Sequence, residues 1–172
     1  MMLSMAVIMI PLLILTVLFS RSGQQADVEA VDWRPVAEQA ARQASFEVVA
    51  PVELPSGWRA TRVSWTQTGE PDPNGDPSPR DRWRLGVLTD QQIYIELDQV
   101  DVQPADFVDQ ITRQGVEDGT STIGDQSWAR LVSTDDRTRS LVLSEPKSTT
   151  VVTGDTSYDQ LAAYVSLLQP VG

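Results

Sequence analysis

The spacing of apolar positions changes twice along the chain. Met1 to Phe19, MMLSMAVIMIPLLILTVLF, is an apolar run without one charged side chain. As a helix it reaches across the roughly 30 Å of hydrocarbon that about 20 residues span. It predicts a transmembrane segment over 1–19, kept as a signal anchor. A removable signal needs a basic leader, a short apolar core and a small-x-small cleavage site. No Lys or Arg precedes this run, and its small-x-small candidate, Ser20-Arg21-Ser22, carries Arg in the middle. Pro11 sits mid-span, where a mild kink is tolerated. Residues 20–31, SRSGQQADVEAV, are small and polar, which predicts a flexible tether. The single charge flanking the span, Arg21, lies on the wrong side for an external domain, and the closely spaced Met1, Met2 and Met5 point to a start upstream with a basic tail.

From residue 32 the spacing becomes that of a folded domain, 32–172. Asp32 as N-cap, Pro35 in the first turn and the stripe Val36, Ala37, Ala40, Ala41, Ala44 predict a helix to about Ala44. Phe46–Ala50 and Trp58–Gln67 have strand character, separated by the Pro- and Gly-containing turn 51–57, and the Pro/Asp/Asn/Gly-rich segment 70–81 is a loop. Residues 82–88 and 91–100 predict two strands around Thr89-Asp90, with Ile93, Ile95 and Leu97 on a covered face and Tyr94, Glu96 and Asp98 on a wetter one. Pro104, Phe107, Val108, Ile111 and Gly115 predict a helix near 104–114. Strands follow at 120–123, 127–133, 139–143 and 149–153. The chain should end in an amphipathic helix with a Ser157/Gln160 capping box and Tyr158, Leu161, Val165 and Leu168 inward.

This order predicts an α+β fold: an N-terminal transmembrane helix, then one domain with a mainly antiparallel sheet covered by helices on one face. Gly57-Trp58, three strands and a helix are echoed by Ser127-Trp128, three strands and a helix. That suggests a β-β-β-α duplication in topology, without sequence identity to support it.

Composition then removes chemistry. The chain has no Cys and no His and carries a net charge of −11. Disulfides, thiol nucleophiles, the usual zinc and copper ligands, a lipid-modified cysteine and any histidine general base are excluded. No cofactor is expected. So acidic a domain will not hold nucleic acid by bulk charge.

Few constellations remain. Asp72, Asn74 and Asp76 have the opening spacing of a calcium loop, but its later ligands are missing. The pairs Asp98/Asp101, Asp106/Asp109 and Asp135/Asp136 fall at turns or helix starts, where Asp caps backbone amides. Thr150 to Gly154, TVVTG, lacks the glycines and the Lys-Ser/Thr ending of a phosphate loop. Arg59, Arg62, Arg80, Arg82 and Arg84 cluster on strands that can be neighbours. Sharing a face, Arg59, Arg62, Arg82 and Arg84 would grip a carboxylate or phosphate bidentately, or else pair across strands with Glu96 and Asp98. Trp58, Trp65, Trp83 and Trp128 are expected in the core or on a sheet face.

The apolar LSMAVIMIPLLILTVLF, the segment VDWRPVAEQAARQASFEVVAPVELPSGWRATRVSW and the terminal TTVVTGDTSYDQLAAYVSLL together resemble an actinobacterial family of membrane-anchored proteins, domain of unknown function 4245, most specifically at Pro51, Leu54, Pro55, Gly57 and Trp58. The resemblance implies a single-pass protein whose C-terminal domain lies outside the cytoplasm, and it carries over no catalytic residue. Family members usually have a basic stretch before the span, which is absent here. With catalytic residues scarce, the expected function is non-catalytic: binding or scaffolding an envelope or membrane protein partner. A small-molecule or lipid carrier with a cavity lined by Trp and Arg is the alternative, and a carboxylate-based hydrolase comes third.

Overall fold

The structure is a computed structural model describing residues 29–72, 75–101 and 105–172. The span predicted over 1–19 and most of the tether lie outside the described residues. Among the described residues no helix is long and apolar enough to cross a membrane.

Seven strands form one antiparallel sheet in the order β2-β3-β4-β8-β7-β6-β5: β2 (Arg59–Thr66), β3 (Arg82–Leu88), β4 (Tyr94–Val100), β5 (Val116–Ile123), β6 (Gln126–Val132), β7 (Arg139–Ser144) and β8 (Thr149–Gly154). β1 (Val49–Pro51) and β9 (Leu168–Pro170) pair antiparallel as a separate ribbon, Val49 opposite Pro170. Three helices complete the fold: α1 (Arg34–Gln43), α2 (Ala105–Ile111) and α3 (Tyr158–Val165).

Period-two alternation sorts the sheet's side chains onto two faces. Trp83, Leu85, Val87, Ile95, Leu97, Leu141 and Val152 point to one face and are fully buried together with Leu161 and Tyr164 of α3 and Ala40 of α1. Val100, Val142 and Val151 point to the other and form a smaller cluster with Phe107 of α2. Helices therefore cover both faces, not one as expected from the order of elements. The face expected to be wet is partly sealed, with Asp98 only 1% exposed.

The topological repeat holds for strands alone. β2-β3-β4 and β6-β7-β8 meet back to back where β4 pairs β8, Ile95 opposite Gly154. β5 has no counterpart, and α2 and α3 lie on opposite faces, which a two-fold repeat through the sheet would not give.

Local signals explain most element boundaries. Ser157 caps α3 by accepting from Gln160 N–H at 3.3 Å, while the Gln160 side chain turns to Thr156 Oγ1 and leaves the capping box half formed. The N-cap of α1 is Trp33, one residue later than expected, with Asp32 Oδ1 accepting from Arg34 N–H at 3.2 Å. Leu168, expected to close the last helix, begins β9 instead. Val31, predicted as the end of the tether, is bound to the domain: its N–H donates to Ala60 O at 2.9 Å on the outer edge of β2. TVVTG lies in β8, at the centre of the sheet.

One buried side chain ties the β1/β9 ribbon to the main sheet. Gln99, 1% exposed, accepts from Val49 N–H at 2.8 Å and donates to Thr150 Oγ1 at 3.0 Å, while Trp83 Nε1–H donates to Val49 O at 3.0 Å. Gln99→Leu keeps the volume and strands these partners without water. It should cost about 1–3 kcal/mol. A urea midpoint lowered at constant slope, with faster amide exchange confined to β1 and β9, checks this; an unchanged midpoint contradicts it.

Candidate functional site

The second face of the sheet carries the arginines. In the β2–β3 and β3–β4 registers Arg84 lies between Ser64 and Asp98, Arg82 between Thr66 and Val100, and Gly86 between Arg62 and Glu96. Arg62, Arg82 and Arg84 thus share one face, and the loop before β3 brings Arg80 to them. Arg59 does not join. It lies at the far end of β2 beyond a bulge, opposite Leu88, and donates to Gln92 Oε1 at 3.2 Å. The four arginines line a cleft of about 540 Å³ between β2, β3 and the start of α2, beside Phe107 and Gln110.

Cross-strand pairing, the plainer expectation, accounts for part of this charge. Arg82 Nε donates to Asp98 Oδ1 at 2.7 Å, and Arg80 stands 3.5 Å from Asp106. Both guanidinium groups also lie over the Phe107 ring, Arg80 at 5.7 Å and Arg82 at 5.4 Å. Arg84 is different. It is nine-tenths buried, and its Nε stands 3.5 Å from both Glu96 Oε1 and Asp98 Oδ1 but makes no hydrogen bond. Burial pulls its pKa down, with Asp98 opposing. Arg62 is exposed, and among the described residues no carboxylate lies within 4.0 Å of it.

A second cleft, of about 560 Å³, opens at the other end of α2, over the start of β4 and the end of β8. Gln110 lines both clefts, and their walls touch where Glu96 meets Arg84 and Tyr94 meets Arg62. The two form one groove along α2. Tyr94 reaches across its floor because Gly86 has no side chain: a Cβ there would stand 2.0 Å from Tyr94 Oη and 2.6 Å from Cζ. Burial pushes the Tyr94 hydroxyl up to about 12, with Glu96 adding to the shift. Burial, then the neighbouring Asp98, pushes the Glu96 carboxyl up.

Tyr94, Gly86, Glu96 and Gln110 were not singled out from sequence as site residues. The available signal was Gly86, a glycine inside a strand of large residues, which marks close approach of another group. Of the other candidates, Asp72 and Asp106 also line the arginine cleft, and the rest disperse. Asp135 holds a turn through Ser133 and Arg137, Asp136 pairs with Arg139, and Asp106 pairs with Arg80. Asp72 and Asp76 close a tight turn on each other, while Asn74 lies outside the described residues. Among the described residues no three potential ligands gather for a metal. Glu96 and Asp98 are two differently placed acids beside one guanidinium, but only Glu96 lines a cleft.

The residues most specific to the resemblance build the entry to β2. Pro51 ends β1, Leu54 packs against the core, Trp58 N–H donates to Pro55 O at 3.0 Å, and the Trp58 ring stacks on Tyr164 at 6.2 Å. Gly57 takes φ +84°, with Asp90 Cβ 3.0 Å from where its own Cβ would be. Trp83 and Trp128 are buried in the core, Trp65 packs edge-on to Phe46, and no Trp lines either cleft. Trp33 and Trp58 instead line, with Arg34 and Arg59, a separate cleft of about 300 Å³ beside the start of β2.

The raised Glu96 pKa has a definite sign in stability. The folded state holds the Glu96 proton more tightly than the unfolded chain, so stability contributed by this group is greatest below the ordinary carboxylate pKa and falls as pH rises through the folded value. Glu96→Gln should remove that fall, so that the stability difference between variant and wild type shifts in the variant's favour from pH 4 upward. Urea unfolding of both proteins at a series of pH values measures it; a difference independent of pH refutes the assignment.

No curated protein matches the chain in sequence. Among solved structures, a chain in "The complex structure of Pseudomonas aeruginosa MucA/MucB" is similar at 15% identity and a TM-score of 0.37, covering 72% of this chain and 35% of that one. The present chain thus spans about a third of that chain's length. The model of the family described as "Protein of unknown function (DUF4245)" matches residues 1–168, and the chain belongs to that family.

Proposed function

We propose that this protein is a non-catalytic binding module, held at the membrane by residues 1–19 with its domain outside the cytoplasm, and that it binds an anionic group of its ligand or envelope partner in the arginine cleft. The observation that carries the reading is Arg84. A guanidinium that is nine-tenths buried, with an unbonded Nε and no carboxylate closer than 3.5 Å, has lost water without full compensation. The Nε itself is closed to solvent, so an anion in the cleft would compensate the Arg84 charge from the part of the guanidinium that lines it, and would accept charge-assisted hydrogen bonds from exposed Arg62. Catalysis finds little support in the same place, since Asp98, the second acid of the cluster, is sealed behind Arg82 and Arg84.

Membrane placement rests on the uncharged run and the polar tether after it. The acidic surface and the tether suit a domain that meets a protein partner in the envelope rather than a nucleic acid or an anionic bilayer.

Titration calorimetry of the full chain in detergent with inorganic phosphate tests the cleft. Saturable binding is expected, weakened about tenfold by Arg84→Met and by Arg62→Ala. Equal affinity in wild type and both variants would remove the cleft as the site. Placement is tested separately: alkaline phosphatase fused after Gly172 should be active in intact cells, and an inactive fusion present at full length would put the domain on the cytoplasmic side.

A further inference from the structure

The groove does not end at the arginines, and its second half has a different chemistry. Gln92, Gln110, Glu96, Asp155 and Arg113 supply five planar polar groups around one cleft, with the hydroxyls of Thr138 and Thr153 between them. Ile93 and Ile111 line it too, and the Tyr94 ring, 38% exposed, lies across the floor over Gly86.

Three ligand chemistries can be compared against this surface. A lipid chain would set hydrocarbon against these groups, and although Gln92 is bonded to Arg59, Asp155 to Thr138 and Glu96 stands beside Arg84, each polar atom left with neither water nor partner, as on Gln110 and Arg113, would cost on the order of 1–3 kcal/mol. An extended peptide draws affinity from main-chain hydrogen bonds to a free sheet edge. Here the floor is the face of β2, β3, β4 and β8, whose ladder bonds are already made with one another. A pyranose needs neither. Its apolar C–H face packs on an aromatic ring, and its adjacent hydroxyls, each donor and acceptor, fit planar amide, carboxylate and guanidinium groups two at a time. Each cleft also falls in the range of about 300–1,000 Å³ found for small-molecule sites.

We infer that the groove along α2 binds an acidic saccharide, its sugar ring on Tyr94 between Gln92 and Gln110 and its anionic substituent at Arg84 and Arg62. The inference rests on the anion-binding reading above and adds the ligand class. The anion can be a carboxylate or a phosphate ester, since an arginine fork accepts both.

Calorimetry on the full chain in detergent, with backbone amide shifts recorded alongside, separates the possibilities. The ligands are tetragalacturonate, glucose 1-phosphate, maltotetraose, tetraglutamate and inorganic phosphate. At least one of the two acidic sugars should bind about tenfold or more tightly than maltotetraose, tetraglutamate and inorganic phosphate, and should shift the amides of Tyr94, Gln110 and Arg84 together. Tyr94→Ala should lower that affinity about tenfold, and Gln92→Asn, which keeps the left-handed turn residue tolerable, about threefold. If inorganic phosphate binds at Arg84 but no acidic sugar exceeds it, or tetraglutamate binds as tightly, the saccharide inference falls and the anion cleft stands. If inorganic phosphate fails to bind as well, both fall. Should Tyr94→Ala unfold, Gln92→Asn and the wild-type shift map decide alone.

Discussion

The second face of the sheet depends on a row of charges laid across β3 and β4. Arg82, Asp98, Arg84 and Glu96 follow one another on adjacent strands, with Asp98 1% exposed between two guanidinium groups at 2.7 and 3.5 Å. With so little water around it, Asp98 has these two arginines as its charged partners. Removing one partner from such a set leaves an uncompensated buried charge, at a cost of about 3–5 kcal/mol. The pairing also aligns the strands, because a one-residue slip of β4 against β3 would turn Asp98 and Glu96 into the apolar core and Leu97 out of it.

That row divides the labour of the two faces. The first face is closed by α1, α3 and the β1/β9 ribbon over a filled apolar core, and it provides the stability. The second face is closed by one short helix resting on Val100, Val142 and Val151. Polar and charged side chains beside α2 cannot be buried under it, so the helix leaves a groove along its side. The groove is a consequence of how little apolar surface the second face offers. Its chemistry follows from what the alternate positions of β2, β3 and β4 carry.

Much of the strand architecture was legible because alternation and turn signals are local. Thr89-Asp90 and the Ile93/Ile95/Leu97 series each report their own surroundings. What could not be read was which face each helix takes. Phe107, Val108 and Ile111 announce an amphipathic helix, but nothing local says whether it meets Val152 or Val151 of the same strand. The β1/β9 ribbon was hidden for a related reason: Leu168-Gln169-Pro170 is too short to show a period, and its partner lies at the opposite end of the domain. In the site, the arginines were visible as residue types, and their common face followed from β2–β3 pairing. Arg59 was misplaced because residue type does not show that it stands at the far end of β2, opposite Leu88 and bonded to Gln92, and Tyr94 was missed because its role depends on Gly86 across the strand pair.

An arginine cluster in a chain of net charge −11 is not a contradiction, because the two act over different distances, even though Asp72 and Asp106 line the same cleft. At physiological ionic strength the screening length is about 8 Å, so carboxylates elsewhere on the surface contribute little inside the groove. A large polyanion such as nucleic acid or an anionic bilayer meets the whole acidic surface and is repelled. A small anion, once within a few ångströms, meets Arg62 and Arg84 in a partly desolvated setting where their attraction is strengthened. On the proposed reading, the acidic exterior and the arginine floor would act together as a filter on ligand size. Such a filter would require Arg84 to remain incompletely paired, and its 3.5 Å distances to Glu96 and Asp98 would serve it better than a closer ion pair.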